Sequence, residues 1–274
     1  MVLFPNCKIN LGLNTIRKRK DGFHDIETIF YPLVLQDILE VIPSTKNHSI
    51  SPVAFHSSGL SIDGEIVDNI CVKAYYLLKK EFSALPPVEM HLHKAIPMGA
   101  GLGGGSSDGA FALKLFNILF ELRLSQQQLI DYAIQLGSDC PFFIYNQPCF
   151  AVSRGEKMQK MELDLSAFTI AIINPGIHVS TGWAFEQLIP HQPLKSVRQI
   201  IQQPIKTWKD ELINDFEAPV MQCFPEIKSI KEKLYLLGAI YASMSGSGST
   251  VFGIFEKSTI PLLHFPANYF VRIL

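Results

Sequence analysis

Over residues 7–14 the chain alternates strictly: Cys7, Ile9, Leu11 and Leu13 fall on one side, and Lys8, Asn10, Gly12 and Asn14 on the other. That two-residue period is the signature of a β-strand. A charged turn over 17–22, ending in Asp21-Gly22, separates it from an apolar run over 23–35, and the pair predicts a hairpin or an open β-ribbon. Alternation returns over 88–96, where Val88, Met90 and Leu92 oppose Glu89, His91 and His93. The intervening stretch, 43–68, is polar and turn-rich and predicts no element.

Three segments follow helical spacing instead. Within 69–82, Ile70, Ala74, Leu77 and Leu78 recur at helical intervals while Lys73, Lys79 and Lys80 lie elsewhere. Over 107–123 polar Lys114, Asn117 and Glu121 recur at spacings of three and four and nearly everything else is apolar, so this helix shows water one narrow stripe. Ser125 followed by Gln128 forms a capping box for a third helix, predicted to end with Gly137 at C′. A polar turn over 154–158 marks the predicted boundary between an N-terminal domain, 1–155, and a C-terminal α+β domain, 156–274. The second is expected to hold a strand near 168–174, helices between 195 and 237, and the Ser/Gly loop 245–249 between two strands.

Composition narrows the class. A chain of 274 residues, 47% hydrophobic, suffices for one large or two medium domains with buried cores. Its 24 Lys and Arg balance 25 Asp and Glu, which leaves no global field for gripping a polyanion, so nucleic acid is not an expected partner. Five scattered cysteines without a C-x-x-C pair suggest neither a disulfide framework nor a zinc knuckle, and fit reduced thiols in a cytoplasm. The uncharged stretches 165–185 and 235–255 contain Asn174-Pro175-Gly176 and a Ser/Gly run, turn signals that argue against membrane spans. Pro5, Asn6, Lys8 and Asn10 interrupt any secretory h-region. The expectation is a soluble cytoplasmic protein without a membrane partner.

Three segments carry chemistry. Pro97-Met98-Gly99-Ala100-Gly101-Leu102-Gly103-Gly104-Gly105-Ser106-Ser107-Asp108 lies between a strand and an apolar helix. Bare backbone amides leading into a helix N-terminus form an anion cradle, because the first N–H groups lack partners and the macrodipole favours negative charge; the alternative is a flexible turn capped by Ser107. No Gly-Lys-Ser/Thr follows the glycines, and the next element is another helix, so neither a Walker loop nor a dinucleotide fold is matched. Lys8 and Asn10, side by side on a strand face, either orient and neutralise a phosphoryl group or belong to a solvated face. Asp139, in Gly137-Ser138-Asp139-Cys140-Pro141, is either a general base or a helix-start residue. His91 and His93 share a strand face but have no third metal ligand in view. Arg17-Lys18-Arg19-Lys20 reads as a solvated hairpin tip, and Trp183 and Trp208 as packing residues.

Taken together, Lys8-Ile9-Asn10-Leu11, the loop from Gly99 to Asp108 and Met244-Ser245-Gly246-Ser247-Gly248-Ser249 resemble the three signature motifs of the GHMP kinases. Asp21-Gly22-Phe23-His24, the Asp139 segment, Asn174-Pro175-Gly176 and Asn214-Asp215-Phe216-Glu217 are similar to marks of the family branch that acts on a cytidine-diphosphate methylerythritol. The resemblance implies a two-domain α+β fold with the active site in the inter-domain cleft, including a left-handed βαβ crossover. It also implies ATP-dependent phosphorylation of the substrate's tertiary 2-hydroxyl, a step of the non-mevalonate isoprenoid route. In its terms Lys8 and Asp139 are catalytic. ATP, with Mg2+ held by ligands still unknown, meets Pro97, Gly99, Gly101, Leu102, Gly103, Gly104, Gly105, Ser106, Ser107 and, near the adenosine, Asn69. The cytidine substrate meets Asn10, Phe23, His24, Phe185, Gly246 and Ser247. A monomer or weak homodimer is expected. A non-catalytic nucleotide-binding module would need the glycine loop but neither Lys8 nor Asp139.

Overall fold

The structure, a computed structural model, describes residues 1–44, 51–258 and 262–274. Strands β1 (Val2–Leu3), β2 (Asn6–Lys18), β3 (His24–Gln36), β4 (Ile38–Pro43) and β5 (Val53–Gly59) lead to helix α1 (Ile70–Lys79) and strand β6 (Val88–Lys94). Helices α2 (Gly104–Leu119), α3 (Gln126–Leu136) and α4 (Cys140–Tyr145) follow. Next come β7 (Cys149–Ser153), β8 (Lys157–Lys160), β9 (Phe168–Asn174) and the helices α5 (Thr181–Glu186), α6 (Val197–Ile200), α7 (Trp208–Glu211), α8 (Glu217–Cys223) and α9 (Pro225–Leu236). The chain closes with β10 (Tyr241–Met244), β11 (Val251–Glu256) and β12 (Phe270–Ile273).

These elements form two compact units that interleave along the chain. The first comprises Met1–Cys7, Val34–Met98 and Gly103–Asn146; the second comprises Lys8–Leu33, Gly99–Leu102 and Gln147–Leu274.

In the first unit the sheet runs β1-β4-β6-β5, with β5 parallel to β6 and α1 in the connection. The predicted alternation holds on β6: Val88, Met90 and Leu92 are buried while His91 and His93 face outward, both bonded to the Ser58 hydroxyl at 3.0 Å. Helices α1 and α2 approach closely at Gly109, where a Cβ would lie 2.7 Å from Ile70 Cγ1. The capping box of Ser125 and Gln128 starts α3 as predicted, but Gly137 ends it in extended backbone, at φ 170°. The left-handed C′ geometry is not needed there.

Two further differences correct the sequence reading. Part of the turn-rich stretch forms β5, whose residues borrow their order from the ladder with β6; residues 45–50 lie outside the described residues. Helix α2 starts at Gly104 rather than Ser107, with left-handed Gly103 at the cap and no side chain capping its first amides. Ser107 is therefore a buried helical residue and not a cap.

The second unit holds two sheets, β2-β3-β7-β8 and β10-β11-β9-β12. Helices α8 and α9 contribute Val220, Ile227, Ile230 and Leu234 to a core that also contains Leu13, Ile173, Phe216 and Phe255. Burying side chains of this size contributes roughly 1.5–3 kcal/mol each. Trp208 is buried as expected, and the hairpin tip is braced by pairing of Arg17 and Arg19 with Asp25. No helix among the described residues is long and apolar enough to cross a membrane.

Candidate active site

The period-2 geometry of β2 sets Lys8 and Asn10 on one face, and both are buried, at 3% and 2% exposure. The solvated-face reading is therefore excluded. Lys8 Nζ donates to Asn10 Oδ1 at 2.6 Å and to the Gly101 carbonyl at 3.1 Å, and lies 5.1 Å from the centre of the Phe30 ring. Asn10 Nδ2 donates to Thr28 Oγ1 at 3.0 Å, which fixes the amide so that its oxygen faces the ammonium. The Ser245 hydroxyl completes the cluster, donating to the Gly101 carbonyl at 2.8 Å and accepting from the backbone N–H of Asn10 at 3.2 Å. Two of the three signature motifs and the start of the glycine loop thus meet within the second unit.

Glycine is required at Gly101 by close approach: its φ is +77°, and a Cβ would lie 2.0 Å from the Ser245 carbonyl oxygen. Gly105 is different. It lies in the first turn of α2, and a Cβ there would meet nothing within 4 Å. Open space above unpartnered amides at a helix start is what an anion needs. Ser107 Oγ, buried nearby, has no hydrogen-bond partner among the described residues.

In the first unit Asp139 stands at the start of α4, immediately before Cys140-Pro141, and its side chain makes no capping bond to that helix. The Cys140 thiol, pushed up to about 12 by burial, shares a hydrogen bond with Ser106, so the Asp139 turn lies beside the glycine loop's final residues. Asn69 caps α1, its Oδ1 accepting from the Cys71 amide at 2.9 Å.

Phe23, His24 and Phe185, which the resemblance assigns to the cytidine substrate, all lie in the second unit. His24 stacks on Phe185 with centroids 4.9 Å apart and planes 10° apart, and Phe185 abuts Phe216 edge-on at 4.8 Å. Burial, reinforced by Lys18, holds the imidazole below its usual pKa. Phe23 is 52% exposed and lies under the Arg154 guanidinium, 4.7 Å from the ring centre. Each ring thus already has one face covered by a protein group. Ser247 bonds Thr181 through their hydroxyls at 2.9 Å.

Sequence reasoning missed the supports of the Ser/Gly loop. Asn214 Nδ2 donates to the carbonyls of Met244 at 2.7 Å and Gly246 at 2.8 Å, and Glu217 accepts from the Met244 amide at 2.8 Å. Their only sequence signal is the polar Asn214-Asp215-Phe216-Glu217 run itself. Among the described residues no group of three or more His, Cys, Asp or Glu gathers to hold a metal ion.

Comparison with known proteins agrees with these motifs. Residues 69–147 match the N-terminal domain model of the GHMP kinases, and residues 192–262 match the C-terminal one. The protein of Bacteroides fragilis named 4-diphosphocytidyl-2-C-methyl-D-erythritol kinase is 50% identical, over 98% of this chain and 97% of its own length. A Cytophaga hutchinsonii protein of the same name is 49% identical over 93% of each chain. A crystal structure of 4-(cytidine 5'-diphospho)-2C-methyl-D-erythritol kinase superposes with a TM-score of 0.79 at 30% identity, covering 93% of this chain and 90% of that one. With both family domains matched and the likeness running almost end to end, this chain belongs to the GHMP kinase family.

Proposed function

We propose that this chain transfers the γ-phosphoryl group of ATP to the 2-hydroxyl of 4-diphosphocytidyl-2-C-methyl-D-erythritol, a step of the non-mevalonate isoprenoid route. The observation that carries this reading is its near full-length likeness to kinases named for that substrate.

Phosphoryl transfer asks mainly for alignment and charge neutralisation. In this proposal the amides at the start of α2 bind the phosphates of ATP, and Lys8 neutralises charge that develops on the transferred group. The Asn10 side-chain oxygen and the Gly101 carbonyl support that role, since they orient the ammonium. Asp139 accepts the hydroxyl proton as the oxygen attacks phosphorus and ADP leaves. Asn69 retains its Nδ2 for the adenine side, its oxygen being used by the helix cap. Phe23, His24 and Phe185 face the cytosine, with Asn10, Gly246 and Ser247 on the substrate side.

A resident metal cage does not fit the donor set among the described residues. A magnesium ion carried in on the phosphates does fit, because Mg2+ keeps several waters and needs only one or two protein oxygens; it would add positive charge at the transferred group. We place the protein in the cytoplasm, as a monomer or weak homodimer.

The test is ATP consumption with the cytidine-diphosphate sugar alcohol beside mevalonate, homoserine and galactose, with the product's phosphate located by NMR. Turnover confined to the first, phosphorylated at the 2-hydroxyl, is expected. Faster turnover of any other acceptor would reject the substrate assignment.

A further inference from the structure

Lys94, Asp37 and Asp108 form a buried triad of one amine and two carboxyl groups in the first unit, and the chemistry above uses none of them. The side chains of Lys94 and Asp37 have no exposure and that of Asp108 has 3%. Lys94 Nζ donates to Asp37 Oδ2 and, at 2.7 Å, to Asp108 Oδ2. Asp37 Oδ1 accepts the backbone amides of Ala95 at 2.6 Å and Ile96 at 2.9 Å. Buried ions cost several kcal/mol each to desolvate, and apolar replacements of similar volume are often as stable, so stability alone does not explain such a triad.

Its location does. Lys94, Ala95 and Ile96 are the last residues before Pro97, where the glycine loop begins, and Asp108 lies in the second turn of α2, which the loop starts. Gly104 packs so tightly against this anchor that a Cβ would lie 2.9 Å from Ile96 Cγ2 and 3.4 Å from Lys94 Nζ. We propose that the triad is the positioning element of the ATP loop: by tying residues 94–96 to residue 108, it sets where the free amides at the start of α2 point. This rests on the assignment of that helix start as the phosphate cradle.

The protonation state gives the triad a signature. Burial pushes the Asp108 carboxyl well above the usual carboxylate range, with the Lys94 ammonium opposing and Asp37 reinforcing the shift. Its Oδ1 has no hydrogen-bond partner among the described residues. Asp108 therefore holds its proton to higher pH than an exposed aspartate, and its release adds a second negative charge under the cradle. Cys71 on α1 and Cys140 on α4, the neighbouring thiols, are both held high by burial and stay neutral while it ionises. Lys114, farther along α2, is pushed down to about 8 by burial, so the Asp108 variant must separate the two.

The experiment measures affinity for β,γ-imido-ATP between pH 7 and 9, alongside KM for the cytidine substrate. Wild type should bind the analogue about five- to tenfold more weakly at the alkaline end, as a charge across a low-dielectric path implies. Asp108→Asn should be flat. At pH 7 Asp37→Asn should lose about tenfold or more in analogue affinity, with KM for the cytidine substrate within about twofold. A flat wild-type profile, the wild-type slope persisting in Asp108→Asn, or a folded Asp37→Asn with unchanged affinity overturns the proposal. If Asp37→Asn fails to fold, the wild-type and Asp108→Asn profiles decide. Gly105→Val runs in parallel: normal analogue binding there overturns the cradle and the proposal with it, whereas weakened binding beside unaffected triad variants overturns the triad's role alone.

Discussion

The Lys8 ammonium lies 2.6 Å from the Asn10 side-chain oxygen, with both residues on one face of β2 and both buried. The amide is a positioned partner, locked from its other end by Thr28. Lys8→Met keeps most of the volume and removes the charge, so turnover should fall by about 10²-fold or more, the scale seen when one electrostatic stabiliser is lost. Steady-state kinetics with direct ATP-binding measurements checks this: kcat within about threefold of wild type would take Lys8 off the catalytic roster.

The side chain of Asp139 makes no capping bond to α4. Asp139→Asn, nearly isosteric, should stay folded and lose about 10²- to 10⁴-fold in kcat, the usual range for a general base. Thermal melts and single-turnover rates together decide. An Asn variant with near-normal chemistry would leave the proton to another acceptor.

Two glycines of one loop should respond differently. At Gly105 an added side chain meets open space, so Gly105→Val should fold normally and weaken ATP binding by about tenfold or more. At Gly101 even Ala collides with the Ser245 carbonyl, and Gly101→Ala should be destabilised in thermal melts before any ligand is added. Equal behaviour of the two variants in both assays would contradict the cradle geometry.

Phe185 supports the His24 ring at 4.9 Å on its face and is itself held by Phe216. Phe185→Ala should raise KM for the cytidine substrate about tenfold and leave KM for ATP alone, since an aromatic platform contributes roughly 1–3 kcal/mol to base stacking. His24→Ala should narrow the preference for cytidine over uridine analogues. A loss confined to ATP, or an unchanged base preference, would move these residues out of the base site.

Much of the local structure was legible. Lys8 and Asn10 share a face because a strand repeats every two residues, and Ser125 with Gln128 announces α3 through bonds made within one turn. Strand β5 was not legible, because its order comes from the parallel ladder with β6 and not from any pattern of its own. The start of α2 was misplaced for a related reason: Gly103 and Gly104 have no capping side chain to read, and the tight packing of Gly104 on Ile96 is a contact of the folded chain.

The sequence by itself determined the strand and helix periods, the glycine run and the family motifs, since backbone geometry and residue type act over a few positions. It even carried a trace of the triad: extending the Val88, Met90, Leu92 parity by two puts Lys94 on the core face. Only the tertiary structure decided that Asp37, 57 residues away, and Asp108, 14 residues away, supply its carboxyl groups. It likewise decided that the Gly101 carbonyl, 93 residues from Lys8, receives the ammonium that alternation had left open to solvent. Such partners are chosen by long-range packing, where a buried charge persists only beside the groups that the fold brings to it.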